Sequence, residues 1–186
     1  MASSSIKVQF SLDETDIAWF RRVFRTVRKH AGPDDQEAIV RKVRELVERV
    51  RGARHLPQFV AEAIGVLETL IQMLEDEAYA LPRSESASVL AALAYFADPA
   101  DLIPDDLPML GFLDDAIMIR LVQEDFRHEL RAYQKFRRFR EGAEQRPWTE
   151  IAAERLPRRL AEYRRQLRAE IAERQSAEKT RRRFLW

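Results

Sequence analysis

Residues 97–116 read ADPADLIPDDLPMLGFLDDA, and no other stretch limits the fold of this chain as strongly. Pro99, Pro104 and Pro108 each lack a backbone N–H and fix φ, so one continuous helix cannot run through the segment. Six acids (Asp98, Asp101, Asp105, Asp106, Asp114 and Asp115) are interleaved with Leu102, Ile103, Leu107, Met109, Leu110, Phe112 and Leu113. Apolar side chains of that size belong against a core, whereas carboxylates need water, donors or cations. The combination predicts a sharply folded turn packed on the core, with carboxylates held at set places.

On both sides of the turn the apolar residues recur at helical spacing. Ser11 and Glu14 have the spacing of a capping box, and Ile17, Phe20, Phe24, Val27 and Ala31 follow as one stripe, stopped by Gly32-Pro33. A second helix is expected over 34–51, with Ile39, Val43, Leu46, Val47 and Val50 on one face. Pro57 suits the first turn of a third, running to about residue 80, whose apolar set from Phe59 to Leu74 spreads over more than one face. Such a helix belongs at the centre of a bundle. A fourth helix is expected to start at Ser84 or Ser86 and end near Phe96, and a long one to run over 113–140. Gly142 and Pro147 mark a break, and Pro157 predicts a kink or restart in the final helix. The fold class is all-α: a compact helical bundle with a Pro/Asp-rich helix–turn–helix element and a basic C-terminal helical arm. The expected organisation is a loose N-terminus (1–10), a helical domain (11–141) and the arm (148–186).

The string Asp98-Pro99-Ala100-Asp101-Leu102-Ile103-Pro104-Asp105, followed by Leu107-Pro108, Leu110-Gly111 and Asp114-Asp115, resembles the signature of the YkvA-like family of unknown function. The resemblance covers about residues 84–122. Two positions depart mildly from the pattern: Asp98 stands where a small hydroxyl residue is usual, and Leu107 where a β-branched one is. The resemblance implies no assigned biochemical activity. It does imply that membrane attachment, a property of some members, has to be tested.

Composition narrows the chemistry. Without cysteine there is no disulfide, no thiolate nucleophile and no Cys-ligated zinc, and three scattered histidines (His30, His55 and His128) argue against a histidine-rich metal site. The start of the chain has no apolar signal region, and the longest apolar run, residues 89–97, is far shorter than the roughly 20 residues that span a bilayer. A cytoplasmic location is expected, with peripheral membrane contact as its variant. The overall charge of +1 conceals an asymmetry. Residues 82–125 carry two arginines against nine acids, while residues 126–186 carry 18 basic residues against nine acids. An acidic segment is therefore followed by a basic one, which suits either mutual attraction or an outside polyanion.

Three candidate sites follow. Asp101, Asp105, Asp114 and Asp115 have the oxygen chemistry to hold Mg²⁺, Mn²⁺ or Ca²⁺. The same acids, next to prolines and at helix starts, equally suit N-terminal capping, where a carboxylate accepts otherwise unpaired N–H groups. Arg158, Arg159, Arg164, Arg165, Arg168, Arg181, Arg182 and Arg183 form a polyanion-binding set, because guanidinium groups grip phosphates bidentately. Arg–Glu pairs within the helix, such as Glu154–Arg158 and Glu170–Arg174, offer those cations a local use. Phe184 and Trp186 after the final arginines suit an interfacial anchor. The leading functional expectation is a non-enzymatic cytoplasmic adaptor or regulatory module. Its basic arm would contact an anionic membrane surface, a nucleic acid or an acidic protein partner, with no cofactor. A divalent-metal-dependent enzyme centred on the Asp turn and a peripheral membrane protein are the alternatives.

Overall fold

The computed structural model describes residues 11–28, 36–53, 57–97, 112–144 and 150–184. Seven helices occur among them: α1 Glu14–Arg28, α2 Gln36–Arg51, α3 Gln58–Glu75, α4 Arg83–Phe96, α5 Leu113–Asp125, α6 Arg127–Glu144 and α7 Glu150–Phe184. The fold is all-α.

The bundle is built around α3, which is apolar on several faces. Val60, Ala63, Ile64, Leu67, Leu70, Ile71 and Met73 are buried there, and α2, α4, α5 and α6 all pack on it. Leu67 and Leu70 are fully enclosed, each contributing roughly 1.5–3 kcal/mol by leaving water. The amphipathic α1 lies across α4 and α5. Polar pairs at the rim of α2 and α3, Arg44–Glu75 at 2.6 Å and Arg51–Glu68 at 2.7 Å, are solvent-exposed and add little. The α6 helix turns a second face outward, and α7 lies along it.

Several features of the helices differ from the expectation. Asp13, rather than Ser11, caps α1: its Oδ1 accepts the N–H groups of Thr15 (2.7 Å) and Asp16 (2.9 Å), and Asp16 Oδ2 accepts the Asp13 N–H in return (3.1 Å). This is a reciprocal box two residues on from the expected one. A carboxylate displaces the hydroxyl because it also neutralises the positive helix end. The long helix over 113–140 is two helices, broken at Phe126 with φ −103° and ψ 18°. No proline or glycine marks that break. It lets α5 pack on α3 while α6 swings to meet α7. Pro157 lies inside a single α7 of 35 residues, about 52 Å at 1.5 Å per residue, and does not restart it.

The third helix also ends earlier than expected, at Glu75, and the turn that follows organises the rest. Asp76 Oδ1 accepts the Tyr79 N–H (3.0 Å), and the Ala80 N–H bonds back to the Asp76 carbonyl (2.8 Å). The tight turn puts Ala80 at φ 46°, a left-handed conformation that costs a non-glycine residue about 1 kcal/mol. The Asp76 carboxylate is 7% exposed and receives Arg140 Nη1 at 2.9 and 2.8 Å and the Tyr133 hydroxyl at 3.1 Å. Around it Tyr79 stacks edge-on against Tyr133 (5.0 Å) and Phe136 (5.2 Å). A carboxylate at the end of α3 therefore ties that helix to two side chains of α6 that lie about two turns apart.

Two outcomes are expected from this knot. Replacing Asp76 with Ala leaves Arg140 facing a site without its counter-charge and should lower stability by about 3 kcal/mol, read from urea unfolding. Burial is the main cause that pushes both phenols up to about 12; Asp76 adds to it at Tyr133, and Arg168 partly opposes it at Tyr79. Below the ordinary tyrosine value of 10.0 both folded and unfolded chains keep these protons, so the two tyrosines add no pH dependence there. As pH rises from 10 towards 12 the unfolded chain loses them first, and stability falls. Unfolding midpoints across that window should show the fall, and Tyr133→Phe should make it shallower.

Candidate functional site

Of the six acids in the Pro/Asp segment, Asp98, Asp101, Asp105 and Asp106 lie outside the described residues. Asp114 and Asp115 open α5 and are buried, at 4% and 8% exposure. Two adjacent buried carboxylates in a first helical turn meet the positive end of the dipole. Among the described residues no group of three or more His, Asp or Glu side chains is gathered in the manner of a metal site.

The arginines of α7 are divided by the fold. Leu160 and Leu167 are buried against the bundle, with Leu156, Tyr163 and Ile171 packed beside them. Tyr163 lies on Phe139 at 4.4 Å, and Arg159 covers the same Phe139 ring at 5.5 Å. Arg164 and Arg168 turn inward. Arg164 Nη1 donates to the Ala78 carbonyl (3.0 Å), and Arg168 Nη2 to the carbonyls of Tyr79 (3.2 Å) and Ala80. These are carbonyls that the tight turn after α3 leaves without helical partners, so the two arginines clasp α7 to it. Arg158 forms an intrahelical pair with Glu162 at 3.4 Å, and Arg165 and Arg181 are exposed. The side chains of Arg182, Arg183 and Phe184, and Trp186, lie outside the described residues.

Interhelical pairs complete the contact between α6 and α7. Lys135 Nζ meets Glu170 at 2.6 Å, the bond that chiefly lowers the Glu170 pKa. Glu178 is held by Arg127 and by His128 Nε2 (2.9 Å), and Arg127 is the principal cause of its lowered pKa. Glu170 thus bonds across to α6, in addition to the attraction of Arg174 that its helical spacing suggests.

Each flank of α7 borders a depression. On the α6 side a groove of about 210 Å³ is lined by Arg131, Lys135, Arg138 and Arg174, with Glu170 and His128. On the other side a cleft of about 370 Å³ lies between the start of α4, the α5–α6 break and α7, and contains Glu85, Asp125 and Glu129. Neither was visible in the sequence as a site. Arg131, Lys135 and Arg138 recur every three or four residues, a signal of one basic face on α6; of the cleft acids, Glu85 is far in the chain from the other two, and the α5–α6 break separates Asp125 from Glu129.

Residues 86–121 match the family described as a protein of unknown function, DUF1232. That span runs from within α4 across the Pro/Asp segment into α5. The chain is 39% identical over 80 residues to the uncharacterized membrane protein YkvA of Bacillus subtilis (strain 168), covering 41% of this chain and 76% of that relative. No solved structure matches the chain.

The Asp segment generates one outcome. If Asp114 and Asp115 serve chiefly to complete the first turn of α5, millimolar Mg²⁺, Mn²⁺ or Ca²⁺ should leave the thermal midpoint nearly unchanged. A large saturable rise, lost in Asp114→Asn, would instead identify these carboxylates as cation ligands.

Proposed function

The chain belongs to the YkvA-like DUF1232 family of unknown function, and from that premise we propose that it is a non-enzymatic cytoplasmic adaptor or regulatory module that docks on an anionic membrane surface. The observation that carries the reading is the basic groove of α6 and α7. Arg131, Arg138 and Arg174 stand there together with Lys135, and Glu170 is the one carboxylate among the residues that line it. Exposed Arg165 and Arg181 extend the charge along α7. A phosphate-bearing surface is the natural counterpart of such a face, because each guanidinium near an anionic bilayer adds roughly 1 kcal/mol of attraction. The Bacillus subtilis relative is named a membrane protein, which supports the same surface. No described helix is long and apolar enough to cross a membrane. On this reading Phe184 and Trp186 supplement the charge as an interfacial anchor. A metal-dependent enzyme centred on Asp101, Asp105, Asp114 and Asp115 is the second reading, favoured by the burial of Asp114 and Asp115.

Co-sedimentation with phosphatidylserine-containing vesicles tests the proposal against pure phosphatidylcholine vesicles and a DNA duplex. Binding should be confined to the anionic vesicles and weaken as salt shortens the Debye length from about 10 Å at 0.1 M. Reversing charge at Arg131, Arg138 and Arg174 together should abolish it, and ending the chain at Lys179 should weaken it. Equal loss of DNA and vesicle binding with salt would point to a nucleic-acid partner instead. Absence of both at low salt would remove the proposal's support.

A further inference from the structure

The cleft on the other flank of α7 has the opposite character. Its floor and walls include Tyr79, Leu81, Phe126 and Ile171, and its charged groups are the carboxylates of Glu85, Asp125 and Glu129 with one arginine, Arg168. Glu129 is the decisive one. It is 8% exposed, its Oε1 accepts from Gln175 Nε2 at 2.8 Å, and its Oε2 has no hydrogen-bond partner although it is buried. A buried carboxylate oxygen without a donor is costly, and the residue that carries it lines the cleft. The second acid, Glu85, has its Oε2 bonded by the Ser84 hydroxyl at 2.6 Å. Glu85, Glu129 and Tyr79 all line this cleft.

The other charges at the cleft are already engaged. Asp125 is paired with Arg21 of α1 at 3.0 Å, and Arg168 is turned to the carbonyls of Tyr79 and Ala80. What remains for a ligand is Glu129, assisted by Glu85, beside apolar walls. The carboxylates do not gather as a metal-binding group among the described residues, so a bare divalent ion is a poor match. A cation whose charge is carried on an organic body fits better. It can give its N–H donors to Glu129 while its hydrocarbon lies on Phe126, Leu81 and Ile171, as amphipathic basic side chains do elsewhere.

We propose that this cleft binds an alkylammonium group through Glu129, either as a free amine or as the side chain of a lysine presented by a basic peptide. The site is separate from the basic groove, and it stands whether or not the membrane reading holds.

Titration calorimetry and thermal melts of the full chain test it with three probes: n-butylammonium chloride, N-acetyl-lysine methylamide and n-butanol, each against sodium chloride of equal ionic strength. Butylammonium should bind saturably and raise the melting midpoint, whereas butanol, equally apolar but uncharged, should not. Glu129→Gln keeps the shape and the Gln175 contact while removing the charge, and should weaken butylammonium binding by about tenfold or more. Glu85→Gln, on the cleft rim, should weaken it less, and it serves as the readout if Glu129→Gln fails to fold. Preference for the lysine derivative would assign the site to a basic peptide, and preference for butylammonium to a small amine. Equal effects of butylammonium and sodium chloride, equal effects of butanol, or full binding by folded Glu129→Gln would each overturn the proposal.

Discussion

Asp76 is the point on which the rest of the architecture turns. A carboxylate at the end of the central helix has almost no access to water, and its negative charge is held by Arg140, the Tyr133 hydroxyl and the N–H of Tyr79. Burying such a charge is costly unless it is fully engaged, so the bonds fix where α6 must run relative to α3. The same bonds close the turn that leaves Ala80 in a left-handed conformation and aims three successive carbonyls outward. Arg164 and Arg168 bind those carbonyls. The position of α7 on the bundle thus depends, through one short turn, on an aspartate far from it in the chain.

That dependence divides the arginines of α7 in a way their spacing does not. Arg164 and Arg165 are adjacent and chemically identical, yet one serves the α3–α4 turn and the other faces solvent. A helix of period 3.6 that lays a narrow apolar stripe on a neighbour carries its flanking residues to the edges of the contact. Their long stems pack there while their guanidinium groups reach the available acceptors. Charge density therefore overstates how much of this arm is available to an outside partner. The cations of α6, by contrast, gain in accessibility because Arg131 and Arg138 stand beside the groove rather than under α7.

The two flanks of α7 also give the charge asymmetry of the chain a spatial meaning. The segment rich in acids supplies Glu85 and Asp125 to one cleft, and the basic segment supplies Arg131, Lys135, Arg138 and Arg174 to the other groove. Attraction between the two segments is real but local, as in the electrostatic influence of Glu85 on Arg168. Most of the bonds that seat α7 are made instead to backbone carbonyls and to α6. The fold thus sets a mainly basic groove on one flank of α7 and a cleft holding three carboxylates on the other.

Amino-acid order alone determined the helical class, the central role of α3 and the interruption between α4 and α5. Each depends on local properties: the period of apolar residues, the width of the apolar face, and prolines that cannot continue a helix. Tertiary contacts decided the remainder. The cap on α1 moved to Asp13 because a reciprocal carboxylate bond outcompetes a hydroxyl two residues away. The break at Phe126 has no local breaker and follows from α5 packing mainly on α3 while α6 packs mainly on α7. Of the four acids singled out for metal, Asp114 and Asp115 are buried, and Asp101 and Asp105 fall outside the described residues. The pairing of Asp76 with Arg140 and of Glu129 with Gln175 spans 64 and 46 residues, and no periodicity reaches so far. Only a closed bundle, in which excluding water makes each buried polar atom find a partner or a ligand, brings such groups together.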